Sequence, residues 1–113
     1  MKLKDVADQV VIDPRKLTHY ALNPEHEEGK HKARVFERAL GYNLINFQHL
    51  LDQIVQMALD AEVEFTQLNE YGQFFQADLI VEGINGRRVL VRTGWRIPPD
   101  SKEARLTTLF VPR

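Results

Sequence analysis

Two periods divide the chain, one of three to four residues up to about residue 61 and one of two residues after it. Between residues 43 and 61, Phe47, Leu50, Leu51, Ile54, Met57 and Ala58 recur at the spacing of a single helical face. The polar positions His49, Asp52, Gln53 and Gln56 fall on the other side. This stripe predicts an amphipathic helix opening at Asn43 or Asn46 and running to about Ala61. From Glu62 onward, apolar and polar residues alternate. Val63 and Phe65 alternate with Glu62 and Glu64, then Phe75, Ala77, Leu79 and Val81 with Gln76 and Asp78. Val89, Val91, Thr93, Trp95 and Ile97 alternate with Arg88, Arg92 and Arg96. Three half-buried strands are predicted, with Ala104 to Val111 as a fourth.

Two shorter helices are predicted upstream. Asp13-Pro14 has the form of an N-cap followed by proline at the first helical position, and it opens a helix to about Ala21. Pro24 prevents that helix from continuing. A second helix spans about Gly29 to Leu40, buries Ala33, Phe36 and Leu40, and stops at Gly41. Residues 1–13 are expected to form an N-terminal arm, with Val10-Val11-Ile12 tucked against one domain spanning 14–113. The fold class is therefore α+β: three N-terminal helices packed on a C-terminal antiparallel sheet of about four strands.

The central hairpin constrains its own register. A one-residue slip in a strand pair exchanges its two faces, so the apolar positions of both strands must coincide. A two-residue Asn85-Gly86 turn would pair Leu79 with Arg92. A three-residue Ile84-Asn85-Gly86 loop instead pairs Val81 with Val89, Leu79 with Val91, Ala77 with Thr93 and Phe75 with Trp95. It also puts Gly86 at the left-handed position that such loops require. On the opposite face Glu82 then meets Arg88, Asp78 meets Arg92, and Arg96 faces Phe74. Gly94, in mid-strand, marks a bulge or a close approach by another backbone. Trp95 reads as a core anchor rather than a platform for stacking bases.

Charge changes the picture because it is unevenly placed. The net charge is only −1. Yet residues 43–82 hold seven acids and no Lys or Arg, whereas residues 83–113 hold seven bases against Asp100 and Glu103. Either the two blocks neutralise each other across neighbouring strands, or the sheet presents a basic strip of Arg88, Arg92, Arg96 and Arg105 to a phosphate-bearing partner. Size and composition fit one globular domain. The absence of cysteine excludes disulfides, thiolate catalysis and cysteine-based zinc sites. No stretch approaches a membrane span or a signal-peptide core, so the expected address is the cytoplasm.

The densest chemistry lies between the first two helices, where His26, Lys30, His31 and Lys32 fall within seven positions. This segment carries Leu22-Asn23-Pro24, His26, Gly29, Lys32-Ala33, Phe36 and Leu40-Gly41, and Val89-x-Val91-Arg92-Thr93-x-Trp95 follows downstream. The combination resembles the signature of an uncharacterised bacterial domain family, over about residues 14 to 112. Members of that family occur as small single proteins and as the C-terminal tips of large secreted toxins. The second context implies a nuclease by association. The helices-then-sheet layout is also similar to that of barnase-like and RelE-like ribonucleases, in which a sheet face cradles RNA.

Cleavage of RNA without a metal needs a base for the 2′-hydroxyl, an acid for the leaving 5′-oxygen and cations for the charged phosphorane. Histidine suits the proton roles, and lysine and arginine suit the last. The candidate catalytic residues are His26, Lys32, Arg92 and Arg96, with Lys30, Arg88 and Arg105 binding nucleic acid. His26 and His31 are five apart, not the four that places two ligands on one helical face, and neither a metal nor a cofactor is expected. RNA and a cognate inhibitor or other small protein are the expected partners. The competing expectation is a non-catalytic interaction domain of a small bacterial two-gene system, in which His26 is satisfied by backbone and lies far from the arginines.

Overall fold

The computed structural model describes residues 1–112. Its sheet has five strands: β1 (Gln9–Val11), β2 (Val63–Asn69), β3 (Gly72–Glu82), β4 (Arg88–Ile97) and β5 (Glu103–Phe110). Their spatial order is β1-β5-β4-β3-β2, with β1 parallel to β5 and every other pair antiparallel. Helices α1 (Lys30–Leu40) and α2 (Phe47–Ala58), together with a helical turn over Leu17–Ala21, lie between β1 and β2 in the chain. The α+β class stands. The sheet numbers five strands instead of four, and the helices do not all precede it.

The additional strand is Gln9–Val11, which pairs Gln9, Val10 and Val11 with Glu103, Ala104 and Arg105. Three residues are too few for an alternation to declare itself, so pairing with β5 determines this strand. The residues before it are also fixed: Leu3 and Ala7 are buried in the core, and Leu3 and Lys4 donate backbone hydrogen bonds to Ala61 and Leu59.

The first helix is a wide turn. Asp13 Oδ1 accepts the Arg15 amide hydrogen just ahead of it, while the turn's own N-cap position, Lys16, makes no side-chain cap. Further along, Leu22 donates to the carbonyl of Leu17, five residues back, so the segment winds as a π-turn. Helix α1 ends at Gly41 in the left-handed region (φ 78°), and the Gly41 amide donates to the Glu37 carbonyl. Helix α2 is shorter than the apolar stripe suggests and stops at Ala58.

The β3–β4 hairpin has the register that face-matching requires. Val81 pairs with Val89, Leu79 with Val91, Ala77 with Thr93, Phe75 with Trp95, Asp78 with Arg92 and Phe74 with Arg96. Gly83 donates to the Arg87 carbonyl, closing a loop in which Gly86 has φ 82°. The inner face of this hairpin packs against α1 and α2 and forms the core with Leu106 and Leu109 of β5. Trp95 is fully buried there. Its indole N–H donates to the Thr93 hydroxyl, which donates to the Ala77 carbonyl. Thr93 is thus a core group and not an available hydroxyl.

At Gly94 the β4–β5 pairing shifts: Gly94 pairs with Thr108, while Trp95 pairs with Leu106, leaving Thr107 as the extra residue of a bulge. A Cβ on Gly94 would come within 2.9 Å of Thr107 Oγ1 and 3.0 Å of Thr108 Cγ2. The bulge is therefore present, and the close approach comes from two threonine side chains instead of another backbone.

Candidate functional site

Strand β1 covers β5 only as far as Arg105. Beyond it, the flank of β5 is met by the helical turn, and Thr107 and Thr108 form the floor of an open groove of about 490 Å3 whose wall carries Lys16, His19 and Tyr20. Asp13 and Arg15 close the far end as an ion pair, with Arg15 Nη2 2.7 Å from Asp13 Oδ2. The hydrogen bonds from Arg15 hold the Asp13 carboxyl at about 2, well below the usual carboxylate range.

Lys32 reaches this junction from α1. Its ammonium donates to the Tyr20 hydroxyl at 3.3 Å, lies 4.9 Å from the centre of the Tyr20 ring, and is 5.2 Å from the centre of the Phe110 ring. Tyr20 also meets His26 in an edge-to-face contact, with ring centres 4.8 Å apart. Phe110 in turn stands across the strand pair from Arg92. His26, Tyr20, Lys32, Phe110 and Arg92 therefore form a chain of neighbours from the α1 turn to the outer face of the sheet.

Within this chain His26 braces the loop. Its Nδ1 accepts the amide hydrogens of Glu28 (3.0 Å) and Gly29 (2.9 Å), and its carbonyl accepts the amide of Lys30, so it secures the start of α1. With Nδ1 occupied as an acceptor, the neutral ring carries its proton on Nε2. Gly29 is required beside it, because a Cβ there would lie 2.3 Å from the Tyr20 carbonyl oxygen. Backbone satisfaction of His26 matches the interaction-domain expectation. The His26 ring also touches Tyr20, the partner of Lys32.

The arginines are less concentrated than a basic strip requires. Arg92 makes a two-pronged pair with Asp78, Nε to Oδ1 at 2.9 Å and Nη2 to Oδ2 at 3.1 Å, and these bonds raise its pKa still further. Arg105 pairs with Glu103 at 3.1 Å on its own strand. Arg96 donates to the Tyr71 carbonyl at 3.0 Å and, like Arg88, has no carboxylate partner among the described residues. By register, Glu64, Asp78, Glu82 and Glu103 share the outer face with the four arginines, so the face is mixed in sign. Lys30 lies two residues before Lys32 on α1 and projects from a different side of the helix.

Sequence pattern missed Tyr20, His19 and Lys16 at this junction. Tyr20 and Lys32 are twelve residues apart, and Thr107 lies far from both in the chain. Only the wide turn and the short β1 bring them together. The one local signal was Gly94, whose bulge displaces Thr107 towards the groove.

Residues 2–113 match the family described as Domain of unknown function (DUF6883). The chain belongs to that family. No curated protein matches it. Among solved structures, the fold is similar to a chain of the contact-dependent growth inhibition toxin–immunity protein complex from Klebsiella pneumoniae 342. The TM-score is 0.70 at 15% identity, over 98% of this chain and 97% of that one. At that identity the likeness concerns the fold. Among the described residues no helix is long and apolar enough to cross a membrane, and no group of three or more His, Cys, Asp or Glu side chains is arranged to hold a metal ion.

Proposed function

We propose that this domain is a toxin-type ribonuclease acting at the junction of Tyr20, Lys32, Thr107 and Thr108. The observation that carries this reading is the Lys32 ammonium, held between the Tyr20 hydroxyl and the Phe110 ring, with Tyr20 also walling the open groove that Thr107 and Thr108 floor. In RNA cleavage the 2′-oxygen attacks phosphorus, the bond to the 5′-oxygen breaks, one proton leaves the 2′-hydroxyl and one joins the departing oxygen. Lys32 stabilises the phosphorane charge, and the threonine hydroxyls donate to its non-bridging oxygens. His19, exposed on the groove wall, is the imidazole free to move a proton. His26 positions Tyr20 and Lys32. Arg92 and Arg96 flank the site as cations on the sheet face.

These groups supply charge and proton transfer themselves, so cleavage proceeds in chelator. The fold likeness to one chain of a toxin–immunity protein complex fits either member of such a pair, and in this reading the domain is the toxin with a cognate inhibitor as its protein partner. The site of action is the cytoplasm, where the RNA is.

A second reading, a non-catalytic partner-binding domain, is favoured by the sheet edge. Strand β2 is the outermost strand and exposes Phe65 (54%) and Leu68 (68%) beside Glu64. Incubating the purified chain with total RNA and defined oligonucleotides in chelator separates the two. Cleavage by the wild type that is lost in Lys32→Met and His19→Ala variants is the expected result. Intact RNA with the wild type, together with capture of a small protein through β2, would give the second reading.

A further inference from the structure

The outer face of the sheet has a gap beside Gly94, floored by the side chains of Thr107 and Thr108. Arg92 and Arg96 project from β4 on this face, and between them Gly94 contributes nothing. Phe74 stands opposite Arg96 on β3 and Phe110 opposite Arg92 on β5, so the two phenyl groups flank the gap diagonally. Gln76 and Thr108 lie directly across from Gly94 on either side. The result is a slot of about 190 Å3.

We propose that this slot binds one unpaired nucleobase of a single-stranded RNA and thereby selects which phosphodiester reaches Lys32. The inference rests on the ribonuclease reading and deepens it. Flanking aromatic rings accept any base by stacking. The Gln76 amide, with one acceptor and two donors, can read a base edge. Thr107 and Thr108 line both the slot and the groove below Tyr20, so a base held in the first places its neighbouring phosphate in the second. The slot depends on the glycine, since a Cβ there would press on Thr107 and Thr108. It has room for a lone base and not for a base pair, so the substrate is a single strand or a loop.

The test is an amide NMR titration of the intact chain with the four nucleoside 3′-monophosphates and, separately, with inorganic phosphate. RNA cleavage patterns of Gln76→Ala and Phe74→Ala, each checked for folding by circular dichroism, accompany it. Nucleotides are expected to shift the Gly94, Gln76 and Thr108 amides where phosphate alone does not. Gln76→Ala is expected to change the preference for the base beside the cut by about tenfold, the effect of one base-edge hydrogen bond. If nucleotides and phosphate perturb the same residues around Tyr20 and Thr107 while Gly94 and Gln76 stay still, the slot is refuted and the ribonuclease reading survives. If nucleotides fill the slot but RNA stays intact, the slot stands and the ribonuclease reading falls. No binding and no cleavage would overturn both.

Discussion

Lys32 lies within 3.3 Å of the Tyr20 hydroxyl and 5.2 Å from the centre of the Phe110 ring, so a single side chain of α1 ties the helical wall of the groove to the face of the sheet. Substitution by methionine keeps most of the stem and removes the charge. Lost contacts of this half-exposed kind cost on the order of 1 kcal/mol or less. The transition-state role predicts a fall in cleavage rate of about a hundredfold or more. Initial rates set beside urea midpoints check both numbers. An unchanged rate would remove Lys32 from the chemistry.

His26 predicts the reverse balance. Alanine at 26 leaves the Glu28 and Gly29 amides without their acceptor and loosens the Tyr20 ring. The stability cost should match a lost helix cap, about 0.5–2 kcal/mol. Asparagine, whose side-chain oxygen can accept the same hydrogens, should recover part of the stability and part of the rate. A direct proton-transfer role predicts full stability in the alanine variant and no rescue by asparagine. Paired melting curves and rates distinguish the two.

These two residues also mark how far the sequence carried. Matching apolar faces across β3 and β4 leaves only one register that buries Val81, Leu79 and Trp95 together, and the structure has it. Gly41 and Gly86 likewise occupy the left-handed positions their neighbours implied. What local pattern could not carry was the geometry of the groove. Strand β1 is three residues long and owes its existence to β5. The turn at Leu17–Ala21 widens to a five-residue hydrogen bond, which orients Tyr20 towards Lys32. The hairpin register did set Arg92 opposite Asp78, whereas the Arg105–Glu103 pair within β5 had no signal in the pattern.

Thr93 offers a test of the core without reference to function. Its hydroxyl accepts from the Trp95 indole and donates to the Ala77 carbonyl, all within the buried face. Valine has nearly the same shape and no hydroxyl, so Thr93→Val leaves the indole N–H buried without an acceptor. The expected loss is about 1–3 kcal/mol. Changing Trp95 to phenylalanine as well removes the orphaned donor, so the double variant should lose less than the two single losses added together. Denaturation midpoints of the four proteins settle it, and strict additivity would contradict this hydrogen-bond pairing.

The Asp13–Arg15 pair gives a pH dependence whose direction is fixed. Hydrogen bonds from the Arg15 side chain, then from its amide, hold the folded Asp13 carboxyl at about 2 against an ordinary value of 3.8. A carboxyl depressed in the folded state binds its proton more weakly there than in the unfolded chain. Its contribution is therefore complete above about pH 4 and disappears as the pH falls towards 2. Asp13→Asn retains an oxygen that can accept the Arg15 amide hydrogen and removes the titration. The variant should lose stability less steeply than the wild type between pH 4 and pH 2, and the two curves should converge at the acid end. The pair is largely open to solvent, so the difference will be small and reduced by salt. Urea midpoints measured from pH 2 to pH 6 at two ionic strengths provide the comparison. Parallel curves across the whole range would mean that the ion pair closing the groove is absent in solution.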